Sequence, residues 1–239
     1  MERREYERLA AVEDRMWWFR GLHANLLAVG IDATGTVLDA GCGTGGLLVR
    51  LAAALPDARA IGLDSDEGAC AMAQAKSGGA VVAGSVAAMP FADRAFDAIW
   101  SADVLCHRGV DEAKALAEFR RCLKPGGVLV LNLPAYRWLH SAHDRAVDNV
   151  RRYNRSDVVR LLAESGFASP AARYWNSLLF PLMVARRKLA AHGVASEVAL
   201  LPAPLERLFG ACLALERALM VLGIRFPFGG SILATSVRP

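Results

Sequence analysis

The pattern of hydrophobic and polar residues divides the chain into a helical start, an alternating middle and a looser last third. From Glu5 to Val29, hydrophobic residues recur at every third or fourth position, which predicts a helix. After Asp32, short apolar runs alternate with helical stretches, so the middle predicts a doubly wound α/β fold with a parallel sheet. The predicted strands there are 36–41, 60–65, 80–84, 96–102 and 127–133, and the predicted helices are 45–55, 67–76 and 111–123.

The last third begins after Pro134 with a basic, polar stretch to about Asp157. A helix is predicted over 158–167, closed by Gly166, then a long helical insertion over 179–223 and a last strand over 231–237. We therefore predict a single domain with three parts. They are an N-terminal helical cap (1–31), a ligand-binding core (32–134) and substrate-side elaborations with C-terminal strands (135–239).

Composition narrows the class of protein. The chain has 239 residues, 54% of them hydrophobic, which is enough for one sizeable core. The net charge of +4 is scattered except between Arg145 and Arg160, so no nucleic-acid partner is expected. The five cysteines form no CxxC pair, which indicates free, mostly buried thiols and a cytoplasmic location. The charged N-terminus lacks an apolar signal core, and no run of apolar residues is long enough to span a bilayer.

A glycine-rich segment, VLDAGCGTGG at 37–46, follows the first predicted strand and leads into a helix. In a doubly wound sheet, ligands sit at the carboxyl ends of the strands, and glycines at such a turn let the backbone approach them closely. Gly41, Gly43 and Gly45 are therefore candidate ligand contacts.

The same glycines leave two cofactor classes open. Gly41, Gly43 and Gly46 also satisfy GxGxxG, and Asp64 lies about where a ribose-binding acid of a dinucleotide site would be. Asp39, two residues before the loop, would repel a pyrophosphate but suits a cationic amino group. We therefore expect a ligand with a positive charge and a ribose.

The chain resembles the class I S-adenosylmethionine-dependent methyltransferases, in particular a methyltransferase type 11-like branch. The resemblance covers about residues 36–134 and rests on VLDAGCGTG, IGLDSDE, GSVAAMPFADRAFDAIWSADVLCH and LKPGGVLVLNLP, in that order. The flanking MWWFRG, HDRAVDNVRRYNRSDVVRLLAESGF and PFGGSILATSVRP resemble the same branch. The resemblance implies a Rossmann-like, mostly parallel seven-stranded sheet with an N-terminal helical cap and a helical insertion before the last strand. The implied cofactor is S-adenosylmethionine, leaving as S-adenosylhomocysteine.

The resemblance also implies roles for individual residues. The backbone of Gly41 and Gly43 would pack against the methionine and ribose parts of the cofactor, with Gly45 in the same loop. Asp39 would lie beneath the amino group, and Asp64 would take both ribose hydroxyls, which suits a carboxylate with two acceptor oxygens.

The predicted adenine loop departs from the family pattern. Ser85 stands after Gly84 where many relatives have an acid, and its hydroxyl would accept from the adenine amine more weakly than a carboxylate. Val86 and Met89 are further candidate neighbours of the ring, although Met89 could equally be a packing residue.

Three histidines are candidate general bases for removing a proton from the acceptor: His107 after the fourth strand, and His140 and His143 after the fifth. His143 is the first choice because it begins the HD...RRY stretch. The HxxHD spacing also resembles a metal pair, but no further ligand lies nearby and no metal is expected.

Two polar and aromatic groups have alternative roles. Arg151, Arg152 and Tyr153 could bind a carboxylate or phosphate of the acceptor, or form a basic face with one structural ion pair. The aromatic run 17–19 could anchor the N-terminal helix or close over the cofactor, and Trp18 is the candidate cofactor contact.

The 179–223 insertion is predicted to be a substrate lid or dimer face, with membrane or lipid contact as the alternative for a basic amphipathic segment. We expect a monomer or homodimer. The predicted function is methyl transfer to a small-molecule acceptor, on oxygen and with a histidine base. N- or C-methylation, a nicotinamide oxidoreductase and a cofactor-binding protein without methyl transfer are the alternatives.

Overall fold

The computed structural model describes residues 3–29, 34–189 and 199–239. The ends of the predicted N-terminal cap and part of the predicted insertion, residues 190–198, therefore lie outside the described residues. The helices within this part are α1 Arg3–Val12, α2 Trp17–Leu27, α3 Gly46–Ala54, α4 Glu67–Ser77, α5 Glu112–Cys122, α6 Ala142–Ala146, α7 Arg155–Glu164, α8 Phe180–Leu189 and α9 Ala203–Val221. The strands are β1 Thr36–Ala40, β2 Arg59–Asp64, β3 Ala80–Ala83, β4 Phe96–Ala102, β5 Leu123–Pro134, β6 Ala168–Trp175 and β7 Ser231–Val237.

The strands form one seven-stranded sheet in the order β3-β2-β1-β4-β5-β7-β6. Strands β1 to β5 pair in parallel, whereas β7 is antiparallel to both β5 and β6. The strand order reverses between β1 and β4, and ligands bind at such a switch point in open α/β sheets. The predicted doubly wound, mostly parallel fold is confirmed.

Helices cover both faces of this sheet. On one face, α2, α3 and α9 pack through Leu26, Leu51 and Leu213 against the side chains of β1, β4 and β5. On the other face, α5 and α7 pack through Phe119 and Leu162. Because both faces are buried, the central strands are almost continuously apolar, which is why they were recognisable in the sequence.

The N-terminal helix predicted over 5–29 is broken into α1 and α2. At the break, the side chain of Glu13 turns into the protein, where it accepts hydrogen bonds from Thr44 and Lys76. Glu13 is 4% exposed, and a buried carboxylate needs partners of this kind, so this tertiary contact accompanies the break in the helix.

Strand β6 had no predicted position of its own, although the implied sheet had seven strands. Its sequence, ASPAARYW, contains a proline, and only its last two residues are buried. An edge strand of this kind carries a weak alternating pattern. The predicted insertion is likewise divided: α8 and α9 form its two ends.

Other boundaries differ by a few residues. Helix α7 begins at Arg155 rather than 158, because Asn154 and Asp157 form a capping box at its start. The polar stretch before it contains a short 3-10 helix at Arg137–Leu139 and α6.

The cysteines are free, four of them buried, as predicted. In the described ranges, no helix has the length and apolar character that a membrane crossing requires.

Candidate functional site

The glycine-rich loop that follows β1 is held close to the end of β2. The backbone N–H groups of Gly41 and Cys42 donate to the carbonyl of Leu63 at 2.7 and 2.9 Å. Gly41 and Gly43 have φ angles of +83° and +51°, which favour glycine. A Cβ atom at Gly43 would meet nothing within 4 Å, so the backbone there faces open space at the carboxyl ends of the strands. This is the free approach that a bound ligand needs.

Gly45 has a different environment. Its φ angle is +88°, and a Cβ atom would lie 2.9 Å from the Cα of Ala73 in α4. Gly45 therefore allows α3 to begin in close contact with α4. Its predicted contact with a cofactor stays a prediction.

Asp64 joins the end of β2 to the glycine loop. Its Oδ2 accepts from the N–H of Gly43 at 2.9 Å, and its Oδ1 accepts from the N–H of Asp66 at 3.0 Å. Each oxygen keeps a further lone pair, because a carboxylate oxygen has two acceptor sites. The orientation of the carboxylate is thus fixed while it can still accept two hydroxyl groups.

Asp39 is a buried carboxyl group with an unfilled hydrogen-bonding site. The residue is 2% exposed, and its Oδ2 has no hydrogen-bond partner. Burial, together with the neighbouring charges of Asp64 and Glu13, raises the pKa of Asp39 to about 8. A buried acceptor without a donor is costly, and a cationic amino group would satisfy it. The residues present therefore fit the amino end of S-adenosylmethionine.

The N-terminal cap contributes two residues that the sequence had not indicated as site residues. Glu13 accepts from the Thr44 hydroxyl at 2.7 Å and pairs with Lys76 at 2.6 Å, which ties the cap to the glycine loop. Tyr6 of α1 is buried, and the nearby charges of Asp64 and Asp66 add to burial in raising its pKa. Both residues fall within a stretch predicted to be helical, and a helical pattern does not indicate which of its side chains reach a distant loop.

The predicted adenine loop follows β3 as expected from the chain order. Val86 and Met89 are buried and belong to the core on the α5 face of the sheet, and the N–H of Met89 donates to Glu118 at 2.7 Å. Ser85 is exposed, and its hydroxyl accepts from the N–H of Ala87 at 3.2 Å. Contact of these residues with adenine stays a prediction.

Trp18 has an anchoring contact. Its ring stacks on that of Trp175 at the end of β6, with centroids 4.9 Å apart and an interplanar angle of 14°. Trp17 makes an edge contact with Phe209 of α9 at 5.3 Å. These contacts support the anchoring alternative for the aromatic run, and a cofactor contact of Trp18 is untested.

The structure brings two of the three candidate histidines to one segment. The backbone of His107 forms a bridge with Asn149, whose carbonyl lies 3.0 Å from Nε2 of His140. Burial lowers the pKa of His107. His143 is partly buried on the short helix α6, beside Asp144. A role of any of the three as the base stays a prediction.

Asp103, which the sequence had not indicated, lies at the switch point directly after β4. Asn132 of β5 donates through Nδ2 to both carboxylate oxygens at 3.0 Å, and Trp175 donates to the other end of that amide at 2.8 Å. Burial raises the pKa of Asp103 to about 7, although the hydrogen bonds from Asn132 oppose it. The adjacent Val104 touches Gly41, so Asp103 lies next to the glycine loop.

The three predicted substrate-binding residues contact protein groups. Arg152 is 6% exposed and forms a buried ion pair with Asp144 at 2.7 Å. Arg151 donates to the carbonyl of His107 at 2.7 Å, and the hydroxyl of Tyr153 lies 2.6 Å from Glu112. These contacts fix the loop after β4 and match the alternative of a structural ion pair, whereas acceptor binding by these residues stays a prediction.

Comparison with known proteins gives a consistent family. Residues 38–131 match the family described as "Methyltransferase domain". Over 95 residues the chain is 39% identical to a malonyl-[acyl-carrier protein] O-methyltransferase of Dechloromonas aromatica, covering 40% of this chain and 35% of that protein. Over 105 residues it is 36% identical to the ubiquinone/menaquinone biosynthesis C-methyltransferase UbiE of Geobacter sulfurreducens, covering 41% of each. The chain thus spans less than half the length of these relatives.

Solved structures with the same fold cover almost the whole chain. A SAM-dependent methyltransferase from Thermotoga maritima superposes with a TM-score of 0.63 at 19% identity, covering 99% of this chain and 95% of that one. A phosphoethanolamine N-methyltransferase 2 of Haemonchus contortus, in complex with S-adenosyl-L-methionine, gives 0.61 at 16% identity, covering 93% and 53%. The matched segment, residues 38–131, contains the glycine loop with Asp39 and Asp64, so this core is similar to the class I S-adenosylmethionine-dependent methyltransferases, and the chain has their fold.

Proposed function

We propose that this protein transfers a methyl group from S-adenosylmethionine to an oxygen atom of a small-molecule acceptor. One observation carries the cofactor part of the proposal: a buried carboxyl group without a donor, Asp39, lies beside an open glycine backbone and the two-point acceptor Asp64. A cationic amino group and a vicinal ribose diol would satisfy these two carboxyl groups.

The chemistry at the acceptor side requires positioning and proton removal. When bound, S-adenosylmethionine would supply a methyl group on a positively charged sulfur: an aligned nucleophile would bond to the methyl carbon as the carbon–sulfur bond breaks and S-adenosylhomocysteine leaves. The chain's own contribution is to hold the acceptor in line and to exclude water. Glu13 bonds to Thr44 of the glycine loop and Tyr6 lies near Asp64, which supports a role of the cap in covering the cofactor side of the site.

Transfer to oxygen also needs a group that takes the hydroxyl proton. We propose Asp103 for this step, because its carboxylate is fixed by Asn132 and its pKa of about 7 suits proton transfer near neutral pH. The three histidines predicted from the sequence, His143 first and then His107 and His140, are the alternatives. His107 has a lowered pKa, so it is neutral but weakly basic at neutral pH.

The relatives support methyl transfer without fixing the acceptor atom. The Dechloromonas protein is named an O-methyltransferase, whereas the Geobacter protein is named a C-methyltransferase. The proposal of oxygen therefore rests on the presence of a carboxylate with a pKa near neutrality after β4.

The test uses the purified chain, cofactor with an isotopically labelled methyl group, and a set of hydroxyl, amine and activated-carbon acceptors or cell extracts. Mass spectrometry detects labelled products, and the carbon chemical shift of the methyl group distinguishes O-, N- and C-methyl products. We expect O-methyl products and binding of S-adenosylhomocysteine but not of NAD(H). Tight NAD(H) binding without S-adenosylmethionine binding would contradict the cofactor assignment, and an N- or C-methyl product would contradict the acceptor assignment.

A further inference from the structure

A group of exposed apolar side chains lies outside the site described above. It comes from three segments: 136–140 after β5, 180–188 in α8, and 221–228 between α9 and β7. We call these three segments together the apolar surface. Its most exposed apolar members are Leu222 (79%), Val221 (70%), Trp138 (57%), Leu182 (52%), Ile224 (47%) and Phe228 (41%).

Aromatic contacts join the three segments. The ring centroid of Phe180 lies 6.3 Å from that of Trp138 and 5.4 Å from that of Phe228. Between them is a groove of about 430 Å³, lined by these three rings and by Pro181, Val184 and Ala185. The exposed apolar side chains therefore share a surface with a nearly uncharged groove and are not scattered singly over the protein.

The charges within the apolar surface are all positive. The cations with exposed side chains are Arg137, Arg186, Lys188 and Arg225, whereas the sequence of these segments contains no Asp or Glu. The Nζ of Lys188 lies 5.8 Å from the ring centroid of Trp138. Arg187 instead turns inward and donates to the carbonyl of Leu139 at 2.8 Å.

The outer side of α9 extends the same character towards its N-terminal end. Leu208, Ala211, Leu215, Ala218 and Leu222 are exposed at spacings of three and four. Both acids of this helix point inward: Glu206 accepts from the N–H of Trp17, and Glu216 accepts from the N–H groups of Ser177 and Leu178. The outer side of α9 thus presents leucine and alanine without exposed acids.

From these observations we infer that the apolar surface docks on an anionic lipid bilayer. Tryptophan, aliphatic side chains and lysine or arginine without acids are the combination that inserts at the headgroup level and attracts anionic lipids. A second copy of the chain fits less well, because a two-fold pair would bring the same four cations against each other. The inference does not depend on the proposed methyl transfer.

The experiment measures binding of the full chain to vesicles. Vesicles of phosphatidylcholine alone are compared with vesicles in which part of the lipid is replaced by phosphatidylglycerol, using sedimentation and tryptophan fluorescence. We expect binding to the anionic vesicles that weakens as salt is raised, and little binding to the neutral ones.

Two double variants test the surface. Lys188→Gln with Arg225→Gln should weaken binding about thirtyfold, because each basic residue near the bilayer contributes roughly fivefold. Leu182→Ser with Leu222→Ser removes apolar contacts and should weaken binding to both kinds of vesicle. Arg59→Gln with Arg94→Gln is the matched control: it removes two exposed cations outside the apolar surface and should weaken binding much less.

Several outcomes would overturn the inference. Wild-type protein that does not bind anionic vesicles contradicts it directly, and so does equal weakening by the control pair. Sedimentation equilibrium without lipid tests the alternative of a dimer. If the wild type is a dimer and the Leu182→Ser, Leu222→Ser variant is a monomer, the apolar surface is a contact between copies and the inference is wrong. Circular dichroism and thermal unfolding check that each variant keeps the fold, which is expected because the altered side chains are exposed.

Discussion

The buried carboxyl group of Asp39 should make cofactor binding release a proton. Its pKa in the free protein is about 8, so at about pH 7 roughly nine molecules in ten carry the proton. Beside a cationic amino group the same carboxyl group would be ionised, because an opposite charge at close range lowers its pKa. Binding of S-adenosylmethionine should therefore release about 0.9 proton per protein molecule near pH 7.

The same linkage sets the effect of Asp39→Asn on affinity. A hydrogen bond to a charged group contributes about 1.5 to 3 kcal/mol, but ionising Asp39 one pH unit below its pKa costs about 1.4 kcal/mol. The variant should therefore weaken binding by about 0 to 1.6 kcal/mol near pH 7, at most about fifteenfold. The loss of affinity caused by Asp39→Asn should grow as the pH approaches the pKa of about 8, because the cost of ionising Asp39 falls to about 0.4 kcal/mol there.

Calorimetry in buffers with different ionisation enthalpies measures the released protons directly. At about pH 7 we expect the wild type to release about 0.9 proton per molecule on binding the cofactor, and Asp39→Asn to release close to none. Asp64→Ala is the comparison: it should weaken binding but still release a proton, in a smaller amount because the charge of Asp64 helps to raise the pKa of Asp39. Unchanged proton release in Asp39→Asn would refute the assignment of the buried proton to this residue.

The raised pKa also predicts a pH dependence of the free protein. The folded protein holds the proton of Asp39, which the unfolded chain loses near the ordinary aspartate pKa of 3.8. This contribution to stability is therefore complete below that pH and is lost as the pH rises through about 8. The thermal midpoint of the wild type should therefore fall more between pH 6 and 8 than that of Asp39→Asn. If the thermal midpoints of the two proteins fall equally between pH 6 and 8, this prediction is wrong.

Three further predictions concern the ribose acceptor, the base and the buried ion pair. Asp64→Ala should weaken cofactor binding by about 1.5 to 3 kcal/mol in calorimetry, roughly tenfold to a hundredfold, and unaltered affinity would break the ribose assignment. Asp103→Asn should leave cofactor affinity nearly unchanged while turnover falls about a hundredfold to ten-thousandfold and the limb of the pH–rate profile near pH 7 disappears; if His143→Ala gives this result instead, the histidine is the base. Arg152→Met should cost about 3 to 5 kcal/mol in urea unfolding, because it leaves Asp144 buried with a weaker partner, and a second change of Asp144 to Asn should recover part of the loss.

The sequence by itself determined the fold class and the positions of the glycine loop and Asp64 at the strand ends. The strands β1 to β5 and the helices between them follow from apolar runs and helical spacing, which are local properties of the chain. The glycine loop and Asp64 are contiguous with predicted strand ends, and the topology of a doubly wound sheet brings such ends together. Local pattern therefore sufficed to place them.

Only the tertiary structure decided which side chains complete the site. Asp103 is an ordinary loop acid in the sequence, and its neutral-range pKa comes from burial and from Asn132, which is 29 residues away along the chain. Glu13 reaches the glycine loop across 31 residues, and Arg152 forms a buried hydrogen bond with Asp144, eight residues before it. The charge, burial and hydrogen bonding of these side chains depend on which distant segments are in contact in the folded protein. A local pattern of residues carries no information about those tertiary contacts.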